Sequence, residues 1–290
     1  MKVVGFTFIR NALTYGYPVL ESIASLLPLC DEVIVAVGHS ADNTLGLIRG
    51  IDSPKIRILE TVWDDALREG GRVLAQETDK ALAAVPADAD WAIYLQADEV
   101  LHEADYEAIQ AGMQRWKDDQ TVQGLLLEYR HFYASYDYVG DSYRWYRREI
   151  RIVRPGIDVY SYRDAQGFRR ADNQKLRVKL VPATVHHYGW VKPPAAMQRK
   201  QQAFGKLWHS DEWMAQNIAP GEEFDYGQVD SLQCFAGQHP AAMQARVARQ
   251  NWHFDHDLSR NKYSFKERLK RWIEAVTGWR VGEYQNYELV

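Results

Sequence analysis

The 290-residue chain has little cysteine: only Cys30 and Cys234, far apart. That excludes a disulfide framework and the paired spacing of a cysteine metal site, and it fits a reducing compartment. No apolar stretch approaches the ~18 residues that span a bilayer. The short apolar run after Lys2 breaks at Arg10 and Asn11, with no cleavage-like segment behind it. The expected setting is cytoplasmic, with association at the inner face of a membrane as an option. Positive charge is also not in excess. Lys and Arg total 35 against 39 Asp and Glu, for a net −4, so a nucleic-acid partner is not expected. Several nucleotide and hydrolase motifs are missing. The positions after the first apolar run that would hold dinucleotide-binding glycines are Asn11 and Ala12. There is no phosphate loop ending in Gly-Lys-Ser/Thr, no Gly-x-Ser-x-Gly elbow and no His-Glu-x-x-His.

What is present is ordinary globular composition, 46% hydrophobic and 26% charged, with 10 Trp and 17 Tyr. Such a length allows one large domain or two modest ones. Short β-branched runs at 3–8 (VVGFTF), 32–37 (EVIVAV), 55–59 (KIRIL) and 91–95 (WAIYL) alternate with helical spacing at 18–27, 44–51 and 72–85. That alternation predicts βαβ units and a parallel sheet, hence an α/β fold. A helix over 103–117 and strands at 123–133, 149–153 and 176–185 follow. Beyond Pro193-Pro194 the pattern is mainly helical, so the expected division is a core over 1–192 and a helical extension over 193–290 packed on it.

Three strand ends carry polar groups: Thr7, Phe8, Arg10 and Asn11; Gly38, Ser40 and Asp42; Gln96, Ala97, Asp98 and Glu99. Ligands of open α/β sheets bind beyond the carboxyl ends of the strands, so their convergence points to a small-molecule site. Turn chemistry alone accounts for Ser40, Asp42 and Asn43 taken singly. Asp98 and Glu99, acids directly after an apolar strand, suit a divalent cation bridging to phosphate; the alternative is a cap on the helix near Glu103.

In order and spacing these elements resemble the bacterial family 2 glycosyltransferases of GT-A fold. FTFIRN at 6–11 matches their first strand and its Asn-bearing turn. GHSADNT at 38–44 matches their Asp-Gly-Ser-Thr-Asp-Gly-Thr-like turn, with Ser40, Asp42 and Thr44 in register. QADE at 96–99 matches their Asp-x-Asp motif. RIVR at 151–154, DAQGFR at 164–169 and HYGW at 187–190 are similar to later segments of the family.

The resemblance implies a three-layer α/β/α nucleotide-sugar-binding core with a mainly parallel sheet, and a mostly helical C-terminal extension. It implies inverting transfer of a sugar from a nucleotide-diphosphate donor to a saccharide or lipid-linked saccharide, in surface polysaccharide or lipopolysaccharide assembly. It implies a divalent cation, Mn²⁺ or Mg²⁺, on Asp98 and on His187 or its neighbour His186. Donor contacts would come from the strand-end residues with Arg68 and Arg72, and from Arg151 and Arg154. Asp164 ranks first as the base that activates the acceptor hydroxyl and Glu149 second, ahead of Asp141 and Asp158. Two positions depart from the family: Val37 stands where an acid pairs with uracil, and Gln96 replaces the first Asp of Asp-x-Asp, with Glu99 a possible compensating group. Those departures keep open a rival reading, a non-catalytic nucleotide- or carbohydrate-binding protein on the same fold. A sugar nucleotidyltransferase would need a glycine-rich loop that residues 9–13 lack.

In the tail, HFDHD at 253–257 has metal-ligand composition, but consecutive residues do not face one point on a regular helix. Phe265, Leu269, Trp272, Ile273, Val276 and Trp279 form an apolar stripe at helical spacing, with Lys266, Arg268, Lys270 and Arg271 among or opposite them. The expected arrangement docks this stripe on the protein's own core or on a second copy in a homodimer. The alternative lays it on an anionic membrane surface.

Overall fold

The computed structural model describes residues 1–67, 70–217, 221–261 and 263–290. The strands are β1 (Val3–Ile9), β2 (Glu32–Gly38), β3 (Ile56–Thr61), β4 (Trp91–Tyr94), β5 (Glu99–Leu101), β6 (Gly124–Tyr133), β7 (Tyr138–Gly140), β8 (Arg148–Val153), β9 (Val159–Tyr162), β10 (Gly167–Arg170), β11 (Leu176–Trp190), β12 (Leu232–Cys234) and β13 (Tyr287–Leu289). The helices are α1 (Ala12–Tyr15), α2 (Val19–Leu26), α3 (Thr44–Arg49), α4 (Arg72–Ala83), α5 (Tyr106–Trp116), α6 (Pro194–Trp208), α7 (Asp211–Asn217), α8 (Gln244–Ala248) and α9 (Phe265–Thr277).

β1 is buried along its whole length, as a strand covered on both faces must be. It runs parallel to β2 and β4, and β2 runs parallel to β3. β8 then enters antiparallel between β4 and β6, giving the order β12-β7-β6-β8-β4-β1-β2-β3. β11 lies parallel to β6 and antiparallel to β5. Successive side chains alternate between faces. Val33, Val35 and Val37 pack with Ile23 of α2, Ile48 of α3 and Ile109 of α5. Ile34 and Ala36 pack on the other side with Val73 and Ala81 of α4 and with Phe168 of β10. The fold is therefore the three-layer α/β arrangement expected.

The C-terminal part is helical but not only so. β12 pairs with β7, and β13 joins β11 in the main sheet. Among the described residues no helix is long and apolar enough to cross a membrane.

α9 does not dock its apolar stripe on the protein's own core. Its ends follow the sequence: Ser264 and Glu267 form a capping box, and Gly278 closes the helix at φ 71°. Its polar side, however, faces the protein. Arg271 donates to Asp141, and Glu274 accepts from Tyr143 and Arg147. Phe265, Leu269, Trp272, Val276 and Trp279 point to solvent. The core gains nothing from them, although burial of each would be worth ~1.5–3 kcal/mol. The HFDHD segment is structural: Asp255 accepts from Tyr138, His256 bonds Asn261, and Asp257 caps a short turn.

Candidate active site

A cavity of about 1470 Å³ opens beyond the carboxyl ends of β1 and β4. Of the sequence-predicted residues, Phe8, Arg10, Asn11, Gln96, Ala97, Asp98, Asp164 and His187 line it. Thr7 is fully buried inside β1 and is not part of the lining. The 38–44 turn lies behind the wall and is bolted to the first loop. Asn11 N–H donates to Ser40, Asn11 Oδ1 accepts from Ala41, and Asp42 accepts from Thr14 and Thr44. Partial burial pushes the Asp42 carboxyl up, but bonds from the hydroxyl and the N–H of both Thr44 and Thr14 outweigh it and hold the group below its ordinary range. Ser40 and Asp42 therefore brace the loop. Gly38 leaves room for Trp63, whose indole a Cβ at 38 would meet at 2.3 Å. Arg72 is exposed at the start of α4, away from the lining, and Arg68 lies outside the described residues.

The two acids after β4 separate. Asp98 reaches the cavity. Glu99 turns inward, accepting from both arms of Arg151 at 2.8 Å, from Tyr129 at 2.8 Å and from Gln96 N–H at 3.0 Å. Glu99 and Arg151 are both fully buried. Glu99 thus does not compensate for Gln96, and Arg151 is not a free diphosphate contact. Removing one partner of such a pair costs ~3–5 kcal/mol. Arg154 is likewise spent on backbone, donating to the carbonyls of Val122, Lys117, Trp116 and Asp119. Neither acid caps the following helical turn; His102 Nδ1 does, accepting from Ala104 N–H.

Around Asp98 the sheet register does the work. His187 on β11 lies opposite His131 on β6. His131 Nε2 sits 2.8 Å from the Tyr146 carbonyl, and its Nδ1 sits 3.0 Å from His187 Nδ1. A carbonyl only accepts, so His131 carries its proton on Nε2. Burial holds both imidazoles below their ordinary range, His131 far below, so both are neutral. A neutral His131 therefore accepts at Nδ1, and His187 donates there. The bare Nε2 of His187 is left 3.7 Å from Asp98 Oδ1. Two acceptors facing each other need a positive group between or beside them. Lys200 of α6 stands 3.5 Å from Asp98 Oδ2 and donates to the Gly189 carbonyl. Burial raises the cost of the Asp98 charge, but the neighbouring lysine charge, Lys200 first, outweighs it and holds the carboxyl below its ordinary range. Gly189 keeps the gap open: a Cβ there would lie 2.7 Å from His187 Nε2 and 2.8 Å from Asp98 Oδ2. His186, one residue away, faces the other side of the strand and packs on Phe132.

A carboxylate oxygen and an oriented imidazole nitrogen across an open gap fit a divalent cation, with Tyr146 and His131 as the outer partners that fix the ligand tautomer. The protein's own donor set stops at two. Among the described residues no group of three or more His, Cys, Asp or Glu side chains is placed to hold a metal.

Asp164 sits at the tip of the β9–β10 hairpin, between Arg163 at φ 57° and Ala165 at φ 65°. Two non-glycine residues in the left-handed region, one on each side of it, persist only where the surroundings enforce them. Gln96 Nε2 donates to the Ala165 carbonyl at 3.0 Å, and Arg151 donates to the Gln166 carbonyl at 2.8 Å. This explains Gln96: a carboxylate there has no donor for Ala165. Burial raises the Asp164 carboxyl above its ordinary range, with Arg163 and Arg151 opposing.

Glu149 does not line the cavity. It is buried against Gly167, accepts from Ile150 N–H, and is pushed up to about 7, chiefly by burial, with Arg151 opposing. The folded state therefore binds this proton more tightly than the unfolded chain, whose carboxyl titrates near 4.5. Stability attributable to Glu149 is lost as pH rises from 4.5 to 7, by about 3 kcal/mol at most. Glu149→Gln should remove that loss, seen in urea unfolding at pH values across this window. The same pH slope in variant and wild type would refute the assignment.

The residues not anticipated are His131, Lys200 and Trp63. Trp63 packs on Phe8 at 5.8 Å, lies under Arg10, and has a buried indole N–H with no partner among the described residues. No motif marks any of the three; each reaches the site through pairing or packing between distant segments.

No protein-family model and no curated protein matches this chain. Among solved structures it is similar to TarS of S. aureus: 13% identity, TM-score 0.44, over 77% of this chain and 41% of that one. It therefore spans about two fifths of that protein's length. Glucosyl-3-phosphoglycerate synthase from Mycobacterium tuberculosis, solved with Mn²⁺, UDP and phosphoglyceric acid, matches at 20% identity over 45% of this chain and 43% of that one, TM-score 0.29. A 4-diphosphocytidyl-2C-methyl-D-erythritol synthase from Anaerococcus prevotii matches at 11% identity over 70% of this chain and 94% of that one, TM-score 0.39. Likeness this distant leaves the chemistry of the site to be argued from the chain's own residues.

Proposed function

We propose that this protein is a glycosyltransferase that moves a sugar from a nucleotide-diphosphate donor to a saccharide or lipid-linked saccharide hydroxyl with inversion. One observation carries the reading: a single large cavity at the ends of the parallel strands holds both a charge-binding cluster, Asp98–His187–Lys200, and a separate carboxyl, Asp164, on a strained and clamped turn.

The roles follow from the chemistry. Phe8, Trp63 and Arg10 offer an aromatic and cationic wall for a base. Asp98 and His187 would hold a divalent cation, Mn²⁺ or Mg²⁺, with remaining ligands from diphosphate and water; bound there, it would supply positive charge for the leaving group. Lys200 supports the same charge from the protein side. Asp164, raised by burial, accepts the proton of the acceptor hydroxyl as that oxygen bonds to the anomeric carbon. The bond from that carbon to the diphosphate oxygen breaks on the opposite face, and the electron pair leaves with the diphosphate.

The test is a thermal-shift panel of UDP, GDP, CMP and ADP, each with and without Mn²⁺, on wild type and Asp98→Asn. A ligand bound only by the native state raises the melting temperature. One nucleotide should stabilise the wild type more with Mn²⁺ than without it, and Asp98→Asn should lose the metal-dependent part. No shift with any nucleotide would overturn the transferase reading. A shift without transfer to any hydroxyl acceptor would favour the non-catalytic binding protein.

A further inference from the structure

We infer that the outward face of α9 is a docking surface for an anionic lipid bilayer. The helix is inverted: its charged side is tied to the protein and its apolar side is bare. Phe265 is 83% exposed, Trp272 64%, Val276 66% and Trp279 63%. These residues, with Leu269, make one stripe down more than three turns, about 20 Å long. Lys266 and Arg268 are exposed, one on each flank of the stripe. No acid of α9 shares that face: Glu267 closes the cap and Glu274 is held by Arg147 and Tyr143.

This pattern suits a lipid interface better than a protein groove. Aromatic side chains, Trp above all, settle at headgroup depth, and flanking cations stay at the phosphates. The stripe has positive charge on both edges and no α9 charge of opposite sign to satisfy a mixed-charge partner rim.

The anchors also place the surface beside the cavity. Tyr143 and Glu283 both line it, and they hold α9 through Glu274 and through Arg147. A bilayer against α9 would thus lie one helix away from residues that line the cavity, within reach of an acceptor carried on a lipid. That last use rests on the transferase reading; the binding does not.

The experiment is co-sedimentation of the full chain with vesicles of phosphatidylcholine alone or with roughly 30 mol% phosphatidylglycerol, whose negative surface potential attracts Lys and Arg. Wild type should pellet with the anionic vesicles and at least roughly 10-fold less with the neutral ones. Lys266→Glu with Arg268→Glu should weaken binding by roughly 5-fold per charge. Trp272→Glu should abolish it while keeping the melting temperature and the nucleotide-induced shift. Failure to pellet with anionic vesicles would overturn the proposal, as would equal pelleting by Trp272→Glu. So would a solution dimer that Trp272→Glu converts to monomer, which would assign the face to a second copy. Nucleotide binding without vesicle binding would sink this inference alone, and the converse would sink only the transferase reading.

Discussion

Asp164→Asn is expected to lower sugar transfer by roughly 10²–10⁴-fold, the usual worth of a positioned general base, and to leave donor binding within about 2-fold. The amide matches the carboxylate in shape but does not take the acceptor proton. The turn should keep its form, because its clamps run from Gln96 to the Ala165 carbonyl and from Arg151 to the Gln166 carbonyl. Neither uses the Asp164 side chain. The wild-type rate should also rise with pH through an apparent value above the ordinary carboxylate range, since burial raises this group and only the ionised form acts as base. The variant should show no such limb. Steady-state transfer across pH, with calorimetric donor binding in parallel, checks both. Full turnover by Asp164→Asn would remove Asp164 from the mechanism and return the search to other carboxyls.

His131→Phe is expected to weaken Mn²⁺ binding by roughly 10–100-fold, the scale of losses at outer-sphere partners of metal ligands. His131 takes its proton orientation from the Tyr146 carbonyl and passes it to His187, leaving Nε2 bare toward Asp98. Phenylalanine fills the space without an acceptor, so His187 Nδ1–H loses its partner and the ring is free to turn. His131→Asn restores an acceptor near the Nδ1 position and should recover most of the affinity. Titration of Mn²⁺ followed by its electron paramagnetic resonance, with nucleoside diphosphate present, reads this without any turnover. Equal affinity in wild type and the Phe variant would sink the relay; loss in both variants would reduce His131 to packing.

Much of the framework is legible in the chain. The β-branched runs and the spacing between them place β1 to β4 within one or two residues: β1, β2 and β4, covered on both faces, read as continuous apolar runs, and the half-exposed edge strand β3 reads as a mixed one. The strand-end loops are legible too, since turn and cap residues act locally: Asp42 accepts from Thr44 N–H two residues on, and Ser264 with Glu267 caps α9. Adjacent acids were harder. Nothing local separates Asp98 from Glu99, and their different fates follow from Arg151, which lies 52 residues beyond Glu99. Gln96 looked like a defect in a metal motif; across the fold it is the donor that clamps the Asp164 turn.

By itself, then, the sequence determined the α/β class, the order of the early elements, the helix ends and the polar strand ends that line the cavity. Each of these rests on interactions within a few residues or on a periodic burial pattern. Tertiary structure alone decided which side chains meet. His131 and His187 are 56 residues apart and face each other only because β6 and β11 pair in that register. The direction of α9 was decided the same way. Periodicity shows that its apolar residues share a face but not where that face points. Arg271 to Asp141, 130 residues away, and Glu274 to Arg147 turn the charged side inward and leave the stripe to solvent.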